Sequence, residues 1–308
     1  MGAKGGSAMR VCVWGLGSMG SGMALSLLRA GHEVSGADPC EEARAAFEAE
    51  GGAPAGAPGA VDAAVLVVVN SAQTEAVLFG EGGLAAELRA GAVVLGCATV
   101  DPDFARSVEA RLGEQGILYL DAPISGGAAK ARQGALTVMA SGAPAAFEAA
   151  RPLLDAMAET VFELGDAAGP GSAMKVVNQM LAGVHIAAMG EAMGFGLSMG
   201  IEPAKTLEVI SRCAGTSWMF ENRGAHVAGG DYAPRSAVEI FVKDLGIVQD
   251  AARARRYGAP LSAAALQRFL EASGMGLGGE DDAAVAKVYA RAAGLTLPGK
   301  ALPGEGGA

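Results

Sequence analysis

The sequence predicts an α/β protein of two domains, in which a doubly wound parallel sheet is followed by an all-α domain built on one long helix. Short apolar runs alternate with helix-like segments through the first half of the 308 residues. A long stretch without proline then follows the Gly-Pro-Gly turn at 169–171, and the pattern beyond it is helical. We therefore expect domains at residues 9–168 and 169–295, with flexible tails at 1–8 and 296–308.

The first strand leads into a glycine-rich turn, G-L-G-S-M-G at residues 15–20, followed by a helix-like segment and a second strand that ends at Asp38. Gly15 permits the tight turn, Gly17 lets a ligand approach the backbone, and Gly20 lets helix and strand pack closely. The helix N-terminus that follows offers free N–H groups to phosphates. This combination predicts a Rossmann-type dinucleotide-binding domain whose cofactor contacts are Gly15, Leu16, Gly17, Ser18, Met19 and Gly20.

The acidic residue at the end of the second strand predicts which dinucleotide binds. A carboxylate at Asp38 can accept hydrogen bonds from the ribose 2′-hydroxyl and repels a 2′-phosphate. Pro39 and Cys40 follow it, whereas an arginine near this position favours NADP. Arg44 lies about one helical turn further along the chain. We predict that the cofactor is NAD.

The remaining strands of the first half are predicted from continuous apolar runs, the pattern of parallel strands buried on both faces. Ligands of such sheets bind beyond the carboxyl ends of the strands, where Asn70, Thr99 and the segment Ser125-Gly126-Gly127 lie. Each is a candidate for binding, although such a residue taken alone is more often an ordinary turn residue. Successive N–H groups of a Ser-Gly-Gly segment can bind a carboxylate. The predicted strands are 63–70, 92–99, 117–123, 135–141 and 160–164, with helices near 41–50, 102–113 and 144–157.

One long helix, predicted at about residues 171–199, connects the two domains. Apolar residues lie on nearly every side of it, as in a helix that is buried by several neighbours. Lys175 is the only cationic residue in this helix, and Asn178 and Gln179 share its face one turn further on. A lysine in this setting either extends its side chain to the surface or has a partner or a chemical role.

The segments after the long helix predict an all-helical domain. Ser236–Tyr257 has the pattern of an amphipathic helix, with Lys243 and Asp244 as adjacent charges in an apolar setting. Further helices are expected at 261–273 and 282–293. A helix as apolar as the central one usually completes its burial against a second subunit. We expect a homo-oligomer, either a dimer or a dimer of dimers.

Composition and charge argue against several classes of protein. The formal net charge of −10 disfavours nucleic acid or an anionic membrane as the main partner. No uncharged apolar run is long enough to span a membrane. The three histidines show no metal-ligand spacing, and the four cysteines lie far apart, as free thiols do in reducing compartments. We predict a cytoplasmic protein that binds a small-molecule substrate and no metal.

Four motifs follow one another along the chain: G-L-G-S-M-G (15–20), D-A-P-I-S-G-G (121–127), G-x-G-x-x-x-K-x-x-N (169–178) and F-V-K-D-L (241–245). In this order they resemble the β-hydroxyacid dehydrogenases, and the resemblance extends over about residues 9–293. It implies NAD-dependent oxidation of a short sugar acid or hydroxy acid. Further stretches are similar to family members that oxidise L-threonate at C2, namely 178–193, 217–223, 231–246 and 278–289.

The resemblance implies a role for each candidate residue. Lys175 would be the general acid/base, and Asn178 would hold the substrate hydroxyl. A useful base needs a pKa below the ordinary lysine value of about 10.4, and burial among Met174, Val176 and Val177 would act in that direction. The other implied roles are carboxylate binding by Ser125, Gly126 and Gly127, cofactor contact by Asn70 and Thr99, and a position beside the nicotinamide and the substrate for Lys243.

Two departures from the common family pattern concern the substrate pocket. They are Val68-Val69-Asn70, where many members have a proline before the asparagine, and Gln179, where many have a second asparagine. Oxidation of 3-hydroxyisobutyrate or reduction of tartronate semialdehyde is an alternative activity within the family, because these reactions would share the carboxylate site and differ only in pocket shape. Trp218 and Phe241 are candidates for the pocket wall or for the core, and His185 is expected to be structural.

Two more distant alternatives belong to other classes of protein. An imine reductase on this scaffold would generally lack the lysine, so the presence of Lys175 disfavours it. A non-catalytic NAD-binding module would need neither Lys175 nor Asn178, and both are present. An enzyme that transfers a hydride is the favoured interpretation.

Overall fold

A computed structural model describes residues 8–299 of the chain, which form two compact units that divide between Lys175 and Val176. The division falls inside the long central helix, so the boundary expected between residues 168 and 169 stays a prediction. Most of both predicted tails lies outside the described residues. Leu297 is buried in the apolar core of the second unit. This core therefore includes one residue of the predicted C-terminal tail, and the flexibility of the two tails stays a prediction.

The first unit contains a six-stranded parallel sheet made of β1 (Arg10–Trp14), β2 (Glu33–Ala37), β3 (Ala53–Pro54), β4 (Ala63–Leu66), β5 (Val93–Gly96) and β6 (Leu118–Asp121). The strands lie in the order β3-β2-β1-β4-β5-β6. The chain thus builds the sheet outward from β1 in both directions, which is the doubly wound arrangement. The predicted fold class is confirmed.

Apolar side chains are buried on both faces of this sheet. Val11 and Val13 of β1 belong to one core cluster, whereas Cys12 between them belongs to another, because successive side chains of a strand point to opposite faces. The first cluster includes Met23 and the second Leu112, both fully buried. The helices of this unit are α1 (Gly20–Arg29), α2 (Glu41–Ala49), α3 (Ser71–Phe79), α4 (Leu84–Glu87), α5 (Pro102–Gly113), α6 (Gly127–Gln133) and α7 (Pro144–Met157).

Three more strands form a separate small sheet, so the predicted strands at 135–141 and 160–164 do not extend the main one. They are β7 (Ile124–Ser125), β8 (Leu136–Ala140) and β9 (Ala158–Glu163). β7 runs antiparallel to β8, and β8 runs parallel to β9. Pro123 lies between β6 and β7, and its carbonyl accepts a hydrogen bond from the N–H of Met139 at 2.9 Å. A bridge between Asp121 and Ser141 connects the two sheets.

The second unit is helical, as predicted. Its core includes Ile186, Met189 and Met193 of the long helix together with Phe241 and Phe269, whose rings stack with their centroids 5.2 Å apart. The long helix is α8 (Pro170–Ser198), one residue from the predicted bounds at each end. It is followed by α9 (Pro203–Ile210), α10 (Trp218–Gly229), α11 (Val238–Ala254), α12 (Pro260–Ala272) and α13 (Val285–Ala292).

Helix α8 is long and apolar enough to cross a membrane by length and composition alone. Half of its most apolar window is buried inside the protein. The core helix of a globular protein meets the same two criteria. Residues such as Ile186 and Met193 are fully buried against other helices of the second unit, so we interpret α8 as a core helix.

Candidate active site

The glycine-rich turn has the geometry that its motif predicts. Gly15 has a φ of +98°, and a Cβ there would lie 2.4 Å from the carbonyl oxygen of Val67. A Cβ at Gly20 would lie 1.8 Å from the carbonyl oxygen of Gly15, so only glycine lets α1 begin here. Gly17 instead has open space around it, which fits the close approach of a dinucleotide pyrophosphate. Of the other turn residues, Leu16 is buried, Met19 is half-buried and Ser18 is exposed.

Asp38 is held against this turn by backbone groups. The N–H of Leu16 donates to its Oδ2 at 2.7 Å, and the N–H of Cys40 donates to its Oδ1 at 2.8 Å. Each carboxylate oxygen keeps further acceptor capacity for a ribose hydroxyl. The guanidinium of Arg44 donates to the main-chain carbonyl of Asp38, so this arginine is engaged at the strand end. The arrangement fits a ribose with free hydroxyls.

Asn70 and Thr99 lie beyond strands that are shorter than predicted. β4 ends at Leu66, and the chain then turns into α3, which Asn70 caps by accepting a hydrogen bond from the N–H of Gln73 at 2.8 Å. This cap satisfies one of the N–H groups that a helix start leaves unpaired. Thr99 is half-buried after the end of β5. Contact of either residue with the cofactor stays a prediction.

Lys175 is buried, with 8% of its surface exposed, and its Nζ donates a hydrogen bond to the carbonyl oxygen of Ile124 at 2.9 Å. Ile124 directly precedes Ser125-Gly126-Gly127. Packing within the first unit thus places the ammonium group of Lys175 next to Ser125-Gly126-Gly127, the segment predicted to bind the carboxylate. Two of the three neighbours expected to surround Lys175, Met174 and Val177, are themselves 45% and 51% exposed. Those side chains project from other sides of α8.

The segment next to Lys175 depends on its two glycines. Gly126 has a φ of +137° and Gly127 a φ of +77°, conformations that other residues rarely adopt. Ser125 pairs with Thr137 at the edge of the small sheet, and Gly127 begins α6. The first N–H groups of a helix have no partner within it. The segment therefore combines a half-buried hydroxyl with backbone donors.

A buried carboxylate that the sequence analysis did not select holds the beginning of α8. Asp121, at the end of β6, is 0% exposed and accepts hydrogen bonds from the N–H groups of Gly169 (3.0 Å) and Ser172 (2.8 Å). The hydroxyls of Ser172 (2.6 Å) and Ser141 (3.2 Å) also donate to it. Burial raises the pKa of Asp121, and these hydrogen bonds act against that rise. The signal in the sequence was an aspartate at a strand end, which suits the positive N-terminus of a helix.

In the second unit, four polar side chains form a row between α8 and α11. Nδ2 of Asn178 donates to Oε1 of Gln179 at 2.9 Å, and Nε2 of Gln179 donates to Oδ2 of Asp244. The ammonium group of Lys243 lies 2.7 Å from Oδ1 of Asp244, an ion-pair distance. Two residues chosen from the sequence, Asn178 and Lys243, are thus connected through two that were not assigned a role.

The other candidates lie elsewhere. Phe241 is buried in the core of the second unit, and Trp218 is exposed at the start of α10. His185 is half-buried on α8. Among residues 8–299, no group of three or more His, Cys, Asp or Glu side chains is arranged to hold a metal ion.

A doubly wound sheet with a glycine-rich phosphate-binding turn, here followed by a helical unit, is the architecture of a dinucleotide-binding protein. Residues 10–165 match the family model of the NAD binding domain of 6-phosphogluconate dehydrogenase. Residues 169–289 match the model described as NAD-binding of NADP-dependent 3-hydroxyisobutyrate dehydrogenase. The chain belongs to the β-hydroxyacid dehydrogenase family and is a dehydrogenase with an NAD-binding domain.

Individual relatives match nearly the whole chain. An L-threonate dehydrogenase of Cupriavidus necator is 52% identical over 293 residues, which cover 94% of this chain and 98% of that protein. The L-threonate dehydrogenase of Escherichia coli K12 is 46% identical and covers 96% and 99%. A crystal structure of 3-hydroxyisobutyrate dehydrogenase from Salmonella typhimurium superposes with a TM-score of 0.86 at 49% identity, covering 91% of this chain and 99% of that one. The family resemblance and the class of reaction are confirmed.

Proposed function

We propose that this enzyme oxidises L-threonate at C2 to 2-oxo-tetronate, with NAD as the hydride acceptor. Relatives that are 46–52% identical over almost the full chain carry this substrate in their names. The observation that supports the proposal most directly is the 2.9 Å hydrogen bond from Nζ of Lys175 to the carbonyl of Ile124. It joins a buried proton-transferring group to a segment whose N–H groups suit a carboxylate.

Each polar group has one task in this proposal. NAD, when bound, accepts the hydride from C2. Nζ of Lys175 accepts the proton of the C2 hydroxyl as the carbonyl forms, and Asn178 holds that hydroxyl. Ser125-Gly126-Gly127 binds the substrate carboxylate through its hydroxyl and N–H groups, and Lys243 adds positive charge beside the nicotinamide and the substrate.

The proposed preference for NAD over NADP depends on Asp38. Its carboxylate is fixed by Leu16 and Cys40, and a negative charge in that position repels a 2′-phosphate. Glu41 and Glu42 add negative charge in the first turn of α2. Arg44, about one helical turn further along the chain, donates its hydrogen bond to the backbone carbonyl of Asp38. We also propose that Asn70 and Thr99 contact the cofactor.

Oxidation of 3-hydroxyisobutyrate or reduction of tartronate semialdehyde is the second candidate. The 49% identical Salmonella structure carries the first of these names. Both reactions would use the same carboxylate site and the same lysine. The shape of the pocket beyond the carboxylate would discriminate between them.

A panel of hydroxy acids tests the proposal. Purified enzyme is mixed with NAD or NADP and with L-threonate, D-threonate, 3-hydroxyisobutyrate or glycerate, and formation of the reduced nicotinamide is recorded. We expect kcat/KM for L-threonate with NAD to exceed that of every other combination of acid and cofactor by at least about tenfold. If the enzyme oxidised only 3-hydroxyisobutyrate, its place in the family would stand, but L-threonate would be the wrong substrate. Equal rates with NADP would contradict the role of Asp38.

We further propose a cytoplasmic homo-oligomer, a dimer or a dimer of dimers. Exposed apolar side chains lie along one face of α8 in the second unit, including Val177, Leu181 and Phe195, each more than 50% exposed. All four cysteines are free, which supports a reducing compartment. Light scattering should give a multiple of the chain mass, and Phe195→Glu should reduce it. A monomer at micromolar concentration would contradict the proposed oligomer. Cell fractionation tests the proposed cytoplasmic location.

A further inference from the structure

In the second unit, two buried residues connect Asn178 with Lys243. Asn178 is proposed to bind the substrate hydroxyl, and Lys243 is proposed to lie beside the nicotinamide and the substrate. Gln179 is 8% exposed and Asp244 is 2% exposed. Gln179 lies on α8 beside Asn178, and Asp244 lies on α11 beside Lys243. Buried polar side chains are costly unless they have partners, and here two hydrogen bonds and one ion pair connect the four side chains into one row.

The carboxylate of Asp244 determines which way each amide in this row points. An ionised carboxylate only accepts hydrogen bonds, so Gln179 must turn its NH₂ group toward Asp244. Its carbonyl Oε1 then faces Asn178 and can only accept, so Asn178 must present Nδ2 to it. Oδ1 of Asn178 and one remaining N–H are left for other partners.

The same carboxylate also holds Lys243. Its ammonium group lies 2.7 Å from Oδ1 of Asp244, while Oδ2 is taken by Gln179. One buried negative charge therefore fixes a cation through one oxygen and an amide through the other. In a poorly hydrated setting such contacts are stronger and more rigid than in water.

We propose that Gln179 and Asp244 are positioning residues, which set the orientation of the Asn178 amide and hold Lys243 for the reaction. The inference depends on the proposed function, because it assigns Asn178 to the substrate hydroxyl. Because the hydroxyl proton goes to Lys175, Asn178 can hold the hydroxyl oxygen only by donating its remaining Nδ2–H, and a turned amide would displace that donor. The hydroxyl would then be misaligned, and misplacement of about 1 Å can cost roughly a hundredfold in rate.

Gln179→Met tests this directly, because methionine has a similar shape and neither donates nor accepts strongly. We expect kcat for the preferred acid to fall by about tenfold to a hundredfold, with an unchanged Kd for NAD. Asp244→Asn should lower kcat in the same direction, because an asparagine allows Gln179 either orientation. Gln249→Met is the matched control: this half-buried glutamine of α11 donates to Ser262 at 2.8 Å, and its loss should leave kcat unchanged.

A double-mutant cycle separates positioning from general packing. If Gln179 acts through Asn178, then Gln179→Met should lower kcat by less than about twofold in an Asn178→Ala background. Equal effects of Gln179→Met in both backgrounds would overturn the inference, as would an unchanged kcat in the single variant.

If the wild-type enzyme oxidises none of the acids, the proposed function fails separately from this inference. A crystal structure of Gln179→Met then decides whether Gln179 orients Asn178. A changed side-chain conformation of Asn178 is the expected result, and an unchanged conformation would overturn the inference.

Discussion

Replacement of Lys175 by alanine is expected to lower kcat for L-threonate by about 10²–10⁴-fold, the usual contribution of a positioned acid/base. The variant removes the group that would accept the hydroxyl proton. The Kd for NAD should remain unchanged, because the glycine turn and Asp38, which are proposed to bind the dinucleotide, keep their own hydrogen bonds in this variant. Steady-state rates and NAD titration by calorimetry measure the two quantities.

Two control variants separate proton transfer from electrostatics. Lys130→Ala removes an exposed lysine of α6, whose Nζ lies 3.4 Å from Glu159, and should leave kcat unchanged. Lys175→Arg keeps the positive charge, but a guanidinium does not release its proton in the accessible pH range, so this variant should be as slow as Lys175→Ala. Substantial activity of the arginine variant would mean that charge alone is needed. Near-normal turnover of Lys175→Ala would remove the lysine from the mechanism.

Replacement of Asp121 by alanine is expected to cost about 3–5 kcal/mol of stability, because several buried donors lose one acceptor. These donors include two N–H groups at the start of α8 and the hydroxyls of Ser172 and Ser141. Such a loss should lower the melting temperature by roughly 10 °C. Ser172 lies one turn before Lys175, so kcat should fall as well. Calorimetry and steady-state kinetics measure these effects.

Asp101→Ala provides the matched comparison for this buried cap. Asp101 caps α5 by accepting from the N–H of Asp103 at 2.7 Å in a more exposed setting, and its loss should cost only about 1 kcal/mol. Asp121→Asn keeps the volume and one acceptor oxygen, and should lie between the alanine variant and the wild type. Equal melting temperatures for Asp121→Ala and Asp101→Ala would show that the buried network adds nothing to an ordinary cap.

Much of the fold could be predicted because its signals are local. The steric demand at Gly20 comes from Gly15, five positions earlier, and the positive φ of Gly15 belongs to the turn itself, so a strand, a turn and a helix in sequence are enough to indicate both glycines. The length of α8 was predicted within one residue at each end, since proline and glycine flank an uninterrupted apolar stretch. The ends of β4 and β5 were placed too far along the chain, because apolar residues continue after backbone pairing stops.

By itself the sequence determined the doubly wound sheet, the helical second half, the family, and Lys175, Asn178 and Lys243 as candidate site residues. Only the tertiary structure decided what surrounds them. Asp121 contacts Ser172 from 51 positions away, and Gln179 contacts Asp244 from 65 positions away. A motif records residue types at short, fixed spacing. Hydrogen bonds between distant segments depend on how helices and strands pack, and this packing brings the carbonyl of Ile124 to Lys175.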